Sequence, residues 1–190
     1  MCVIGKKRKK VEEYIMSRRI IFNMAMSIDG YIADDNGGYD WIVGDGDDTN
    51  NTDKKFEYTE FLDTIDTLVM GYNSYRDVNL DDFKGKKIIV ATSKENLSDD
   101  CVSFINSDIC GFIESLKASG GKDIWLFGGG VLIDAFIKRD MIDTYIIGII
   151  PVILGKGRKL FYDDNPKINL HMDECTTQQG IAIFRYTKRK

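Results

Sequence analysis

Short apolar runs alternate along the chain with amphipathic ones. "IIFNMAM" (Ile20 to Met26) is almost continuously apolar, the pattern of a strand buried on both faces. "IDG" turns it, and "YIADDNGG" resumes before stopping on Asp, Asn and Gly. The polar loop "DWIVGDGDDTNNTD" follows, and loops of that length in compact domains are more often functional than accidental. From Asp53 to Ile65, residues Phe56, Tyr58, Phe61, Leu62 and Ile65 recur at helical spacing, with Asp53 near the N-cap. "DTLVMG" reads as a buried strand and "YNSYRDV" as the start of a helix. "KKIIVATS" and "CVSFIN" are further strands. "SDICGFIESLKASGG" is a helix capped by Ser107 and stopped at Gly120.

After these come the strand "DIWLFG", the helix "VLIDAFIKRDM", the strand "TYIIGIIPVI", the loop "LGKGRKLFYDDN" and two C-terminal strands, "INLHMDECTTQQ" and "GIAIFRYTKR". Strands alternate with helices through the middle, and the chain ends on an antiparallel pair. That order predicts a three-layer α/β fold with a mixed, mostly parallel central sheet. No repeat or low-complexity linker divides it, so residues 19–190 read as a single domain.

Composition adds mainly exclusions. The 190 residues are 43% apolar and 29% charged, ordinary for a soluble globular chain. A net charge of −4 argues against a nucleic-acid partner, and the longest apolar run, Thr144 to Gly155, is too short for a membrane span and is interrupted by Pro151. Cys2, Cys101, Cys110 and Cys175 have no zinc spacing, and His171 is the single histidine, which removes a His-based metal site and a Ser-His-Asp triad. The cysteines read as reduced packing residues of a cytoplasmic protein, with a Cys101–Cys110 bridge the less favoured alternative. Seven of the 26 Lys and Arg residues fall between Gly5 and Arg19, so residues 1–18 read as a basic N-terminal extension ahead of the domain.

Candidate chemistry gathers at four strand ends. In an open α/β sheet, ligands bind beyond the carboxyl ends of the strands. Here those ends read Ser27-Ile28-Asp29-Gly30, Gly71-Tyr72-Asn73-Ser74, Ala91-Thr92-Ser93-Lys94 and Gly128-Gly129-Gly130. Small hydroxyl and amide side chains and bare backbone suit phosphate oxygens at a helix start. The triple glycine alone fits neither the dinucleotide fingerprint nor a P-loop. Asp29 is the candidate acid, its alternative being a carboxylate that caps its own turn. Trp41 could stack on a planar heterocycle or merely pin its loop. Arg158 could meet a substrate phosphate, with plain solvation the more ordinary reading.

The segments "MAMSIDGYIA", "DTLVMGYNSY", "KIIVATSK", "DIWLFGGGVLIDAFI" and "IDTYIIGIIPVILGKGRKLF" together resemble the dihydrofolate reductase-like superfamily. The nearer likeness is to the C-terminal reductase domain of bifunctional riboflavin-biosynthesis proteins. The resemblance implies a dihydrofolate reductase-like fold and an NADPH-dependent reductase, with NADH possible because Tyr72 stands where folate reductases carry an arginine. It implies that Asn73, Ser74, Thr92, Ser93 and Lys94 meet the 2′-phosphate end of the cofactor, with Gly71 also among the cofactor-binding residues. Gly128, Gly129, Gly130, Val131 and Leu132 would meet the pyrophosphate, and backbone at Ala25 and Met26 would face the nicotinamide. Asp29 would act as catalytic acid, with Asp29 and Trp41 contacting a pterin-like or pyrimidine-like heterocycle. It implies a homodimer.

Two positions depart from the family pattern. Lys55, between Asp53 and Glu57, falls where a folate reductase has its pterin-binding carboxylate. Phe127 falls where riboflavin-type reductases carry a glutamate. True dihydrofolate reduction and a catalytically silent NADPH-binding or ligand-sensing module therefore stand as alternatives.

Overall fold

The computed structural model describes residues 17–189; the basic extension expected over 1–18 falls outside them as far as Met16. Arg18, assigned by the sequence to that extension, belongs to the fold. It is 4% exposed, its Nε donates to the Lys122 carbonyl at 2.5 Å, and its guanidinium pairs with Asp66 and with the Thr67 hydroxyl.

The chain builds β1 (Ile20–Ser27), β2 (Tyr31–Ala33), α1 (Tyr58–Thr64), β3 (Ile65–Gly71) and α2 (Tyr72–Asp77). A 3-10 turn (Leu80–Phe83), β4 (Lys87–Ala91), β5 (Val102–Ile105), α3 (Ile109–Lys117) and β6 (Asp123–Gly128) follow. Last come α4 (Gly130–Lys138), β7 (Thr144–Ile150), β8 (Arg158–Lys159), β9 (Leu170–Gln178) and β10 (Ile181–Lys188). The main sheet has the order β5-β4-β3-β6-β1-β7-β10-β9. Its first six strands run parallel, and β10 is antiparallel to both β7 and β9. The three-layer, mostly parallel fold with its antiparallel C-terminal pair is the one the sequence predicts. A second small sheet pairs β2 with β8, inside the stretch read from sequence as a plain loop.

Strand alternation divides the core in two. Ile20, Phe22, Val69, Ile89, Ile124 and Leu126 pack under α3 and α4. Ile21, Leu68, Met70, Ile88, Val90 and Trp125 pack under α1, α2 and the 3-10 turn. In α4, Leu132, Ile133, Phe136 and Ile137 form one apolar stripe and are almost wholly buried. Each such side chain contributes roughly 1.5–3 kcal/mol of burial. Asp140, at φ +53, lets the Met141 amide reach back to the Phe136 carbonyl and ends the helix.

Two expected helix starts move. The segment Asp53–Glu57 is not helical, and α1 begins at Tyr58 with Glu57 as its N-cap. Phe56 is drawn instead to β9, where its amide donates to the Gln178 side chain at 3.2 Å. In α3 the cap is Asp108, not Ser107. Cys101, Cys110 and Cys175 are free thiols, so no Cys101–Cys110 bridge forms. Among the described residues, no helix is long and apolar enough to cross a membrane.

Candidate active-site cleft

Three parallel strands end side by side. Gly71 is in register with Ala91, and Met70 with Gly128. The chain leaves each strand into a helix or loop on one edge of the sheet, opening a cleft of about 1580 Å³. Its lining contains Gly71, Asn73 and Ser74 from the first strand end, Thr92, Ser93 and Lys94 from the second, and Gly128 through Leu132 from the third. Eleven of the thirteen residues assigned to a cofactor from sequence thus lie together. Ala25 and Met26 do not line the cleft; their β1 neighbour Met24 does.

The glycine turn needs its glycines. Gly128 has φ +141 and Gly129 has φ +40, backbone that L side chains rarely adopt. A Cβ on Gly128 would come within 3.1 Å of Met24 Cε, and one on Gly130 within 2.9 Å of the Tyr162 hydroxyl. Ser74 Oγ lies 3.6 Å from the corresponding point on Gly129. The turn therefore holds open a narrow, backbone-lined passage at the start of α4, whose Gly129 N-cap supplies no side-chain capping bond. Such a helix start presents free amides to an anion.

The second strand end is tied locally. The Thr92 amide donates to the Ile105 carbonyl, and the Thr92 hydroxyl accepts the Lys94 amide at 3.0 Å. The Lys94 ammonium lies 4.2 Å from the centre of the Tyr72 ring.

The opposite wall comes from β2, the following turn and β8, and includes Tyr31, Gly37, Tyr39, Ile42, Arg158 and Tyr162. Of the three cations on that strap, Lys156 pairs with Asp35 and Lys159 with Asp163. Arg158 makes no ion pair among the described residues, and its guanidinium lies against Gly37, 2.9 Å from where a Cβ would sit. The floor is aromatic: Phe127 packs 4.9 Å from Trp125 and edge-on to Phe83 at 5.6 Å. Tyr58 closes this end beside Asp82. Burial, and then the Asp82 charge, push the Tyr58 phenol up and keep it protonated.

Asp29 is elsewhere and otherwise engaged. Its carboxylate accepts the Ser27 hydroxyl at 2.7 Å and the amides of Leu154 at 3.1 Å and Gly155 at 2.7 Å. The Ser27 hydroxyl first, then the Gly155 and Leu154 amides, hold it below the usual carboxylate range. It does not line the cleft, and a carboxyl with a depressed pKa is a poor proton donor at neutral pH. The carboxylate does not cap its own turn either: the Ser27 hydroxyl accepts the Tyr31 amide at 2.9 Å, and Asp29 reaches across to the 154–155 loop instead.

Trp41 also misses the cleft. Its indole N–H donates to the Gly38 carbonyl at 3.2 Å, while Tyr39 and Ile42 on either side face inward. The rest of the long polar loop is bound to the β9–β10 turn. Asp45 and Thr52 amides donate to Gln179 and Thr177 carbonyls, and Asn51 accepts the Gln179 amide. A side chain at Gly44 would collide with the Gln179 carbonyl.

Comparison with known proteins matches this architecture. The chain is 35% identical over 188 residues to the uncharacterized protein YyaP of Bacillus subtilis (strain 168), covering 90% of this chain and 96% of that one. YwjB, an uncharacterized protein of the same organism, is 34% identical over 176 residues, covering 88% and 96%. Among solved structures, a protein of Shewanella sp. PV-4 provisionally assigned to riboflavin biosynthesis superposes with a TM-score of 0.74 at 26% identity, covering 91% of this chain and 99% of that one. The diaminohydroxyphosphoribosylaminopyrimidine deaminase/5-amino-6-(5-phosphoribosylamino)uracil reductase of Thermotoga maritima shares the fold, with a TM-score of 0.69 at 15% identity. The match covers 91% of this chain and 57% of that protein. The profile of the RibD C-terminal domain covers residues 18–182, and the chain belongs to that family of riboflavin-pathway-type reductase domains.

Proposed function

We propose that the protein is an NAD(P)H-dependent reductase that transfers a hydride to a small pterin-like or pyrimidine-like heterocycle. The observation that carries this reading is the joining of the glycine turn, Asn73, Ser74, Thr92, Ser93 and Lys94 in one cleft. At about 1580 Å³ the cleft exceeds the roughly 300–1000 Å³ of an ordinary small-ligand site. That size suits a dinucleotide with a second ligand beside it. The bare backbone of the passage at Gly128–Gly130, bordered by Met24, Ser74 and Tyr162, suits a pyrophosphate, and Lys94 supplies a cation for a further phosphate. The bound dinucleotide would supply the hydride; the chain's own residues bind and orient both ligands and exclude water.

The substrate end is an aromatic slot of Tyr58, Phe83 and Phe127 with Asp82 at its margin. A planar ring stacks there, and Arg158 is available to an anionic substituent. Dihydrofolate reduction is less well supported. Asp53 and Glu57, the carboxylates nearest the expected pterin contact, do not line the cleft, and Tyr58 occupies that wall.

The silent-module alternative draws on a specific feature. With Phe127 apolar and Asp29 spent on backbone amides, neither expected acid reaches the cleft. The reading also includes a cytoplasmic location and a homodimer, for which the exposed Ile28 and Ile153 side chains offer apolar surface and which sedimentation velocity tests.

Titration with NADPH, followed by tryptophan fluorescence, tests the cofactor site. Saturable binding at micromolar levels is expected. No response to NADPH or NADH would remove both the enzyme and the module. A heterocycle screen against the loaded protein then separates those two: oxidation of NADPH by any member supports the reductase.

A further inference from the structure

Tyr72 is the first residue of α2, directly after the cleft-lining Gly71, and its ring face carries the Lys94 ammonium at 4.2 Å. The ring is held from behind. Tyr75, three residues on, lies 5.9 Å away and is edge-on to Phe104 of β5 at 5.5 Å and 89°. The Tyr75 hydroxyl donates to Asp99 at 3.1 Å. An aromatic column, Phe104–Tyr75–Tyr72, thus runs from the edge of the sheet to the cleft rim and ends under a cation. Lys94 forms no salt bridge with any carboxylate among the described residues; the ring is its recorded neighbour. Lysine carries its charge on a flexible four-carbon stem, and an aromatic face attracts the ammonium without neutralising it. The charge is therefore localised at the rim and still available to an anion.

We infer that Tyr72 is a positioning residue for cofactor selectivity. Its ring holds Lys94 where the extra phosphate of NADPH arrives, so the cleft favours NADPH over NADH through a tyrosine that need not itself touch the phosphate. This rests on the reductase reading above and goes beyond it by assigning the selectivity to a residue pair.

Equilibrium titration of the full chain with NADPH and with NADH tests it in wild type, Tyr72→Phe and Tyr72→Leu. The wild type is expected to prefer NADPH. Tyr72→Phe keeps the ring face and should keep the preference. Tyr72→Leu should lose about two- to fivefold of it, with NADH affinity unchanged. Because Tyr72 also packs on Tyr75, a second arm uses Lys94→Gln, which should lower NADPH affinity alone. Lys94→Gln combined with Tyr72→Leu should then show no further loss of preference beyond Lys94→Gln alone.

Equal weakening of both dinucleotides by Tyr72→Leu would overturn the inference, because the ring would then serve the adenine rather than Lys94. A wild type without preference, or a Tyr72→Leu variant that retains it, also overturns it. A wild type that binds neither dinucleotide removes the reductase reading itself, whereas binding with an unmoved preference removes only the role of Tyr72.

Discussion

The Gly155 amide donates to the Asp29 carboxylate at 2.7 Å, which ties the end of β1 to the loop that delivers β8 to the cleft. Asp29→Asn should therefore act on stability rather than on hydride transfer. Because folding lowers the Asp29 pKa, its contribution is present above the unfolded value of about 3.9 and is lost as pH falls through the folded one. Thermal melts at neutral pH should rank wild type above the variant, and the gap should close in acid. A variant that abolishes activity at unchanged stability would restore Asp29 as a catalytic residue.

Gly128→Ala places a Cβ at φ +141 and within 3.1 Å of Met24 Cε. Backbone strain of this kind costs about 1–3 kcal/mol. The same methyl narrows the passage beside the start of α4. Denaturant melts should show the loss of stability, and NADPH titration should show affinity falling by at least about tenfold.

Arg158→Gln removes the strap cation that has no carboxylate partner among the described residues. The NADPH affinity should hold, while a phosphorylated heterocycle such as uridine 5′-monophosphate should lose about tenfold relative to uridine. Calorimetry on the unliganded protein measures the first, and on the NADP-saturated protein the second. If the variant weakens NADPH instead, Arg158 belongs to the cofactor.

Tyr145 is 3% exposed, and its hydroxyl has no hydrogen-bond partner among the described residues. Burial, aided by Asp140 and Asp143, pushes its phenol up to about 12. Tyr145→Phe removes an unsatisfied polar atom and should raise stability by about 1 kcal/mol. The raised value also means that wild-type stability from this group is intact below about pH 10 and declines as pH rises towards 12. The phenylalanine variant should lack that alkaline decline, which denaturant melts across this range would detect.

Periodicity revealed the layers because the central parallel strands are buried on both faces and helices such as α3 and α4 on one, so patterning and environment agree. It revealed three of the four strand ends because those strands are adjacent and stop within a residue of one another, with Gly71 paired to Ala91 and Met70 to Gly128. The fourth end misled because β1 continues along β7 as far as Ser27, which carries Asp29 away from the cleft towards residues 154–155. The start of α1 was hidden because Phe56 has helical spacing but an amide partner on β9. Tyr58 and Asp82 gave no local signal, and Arg158 showed only as a cation in a polar loop, where solvation is the more ordinary reading. Their place in the cleft depends on a 3-10 turn and on a β2–β8 ribbon whose strands are more than a hundred residues apart.

The position of β10 inside the sheet, between β7 and β9, orders the assembly of the molecule. The loop Gly44–Phe56 leaves the ribosome more than a hundred residues ahead of its partners Thr177, Gln178 and Gln179. During synthesis the parallel half of the sheet can condense while that loop has nothing to hold it. The cleft wall carrying Tyr39 and Ile42 is thus secured only when the β9–β10 hairpin closes, and a chain released short of β10 would carry its binding residues without the wall that completes their site.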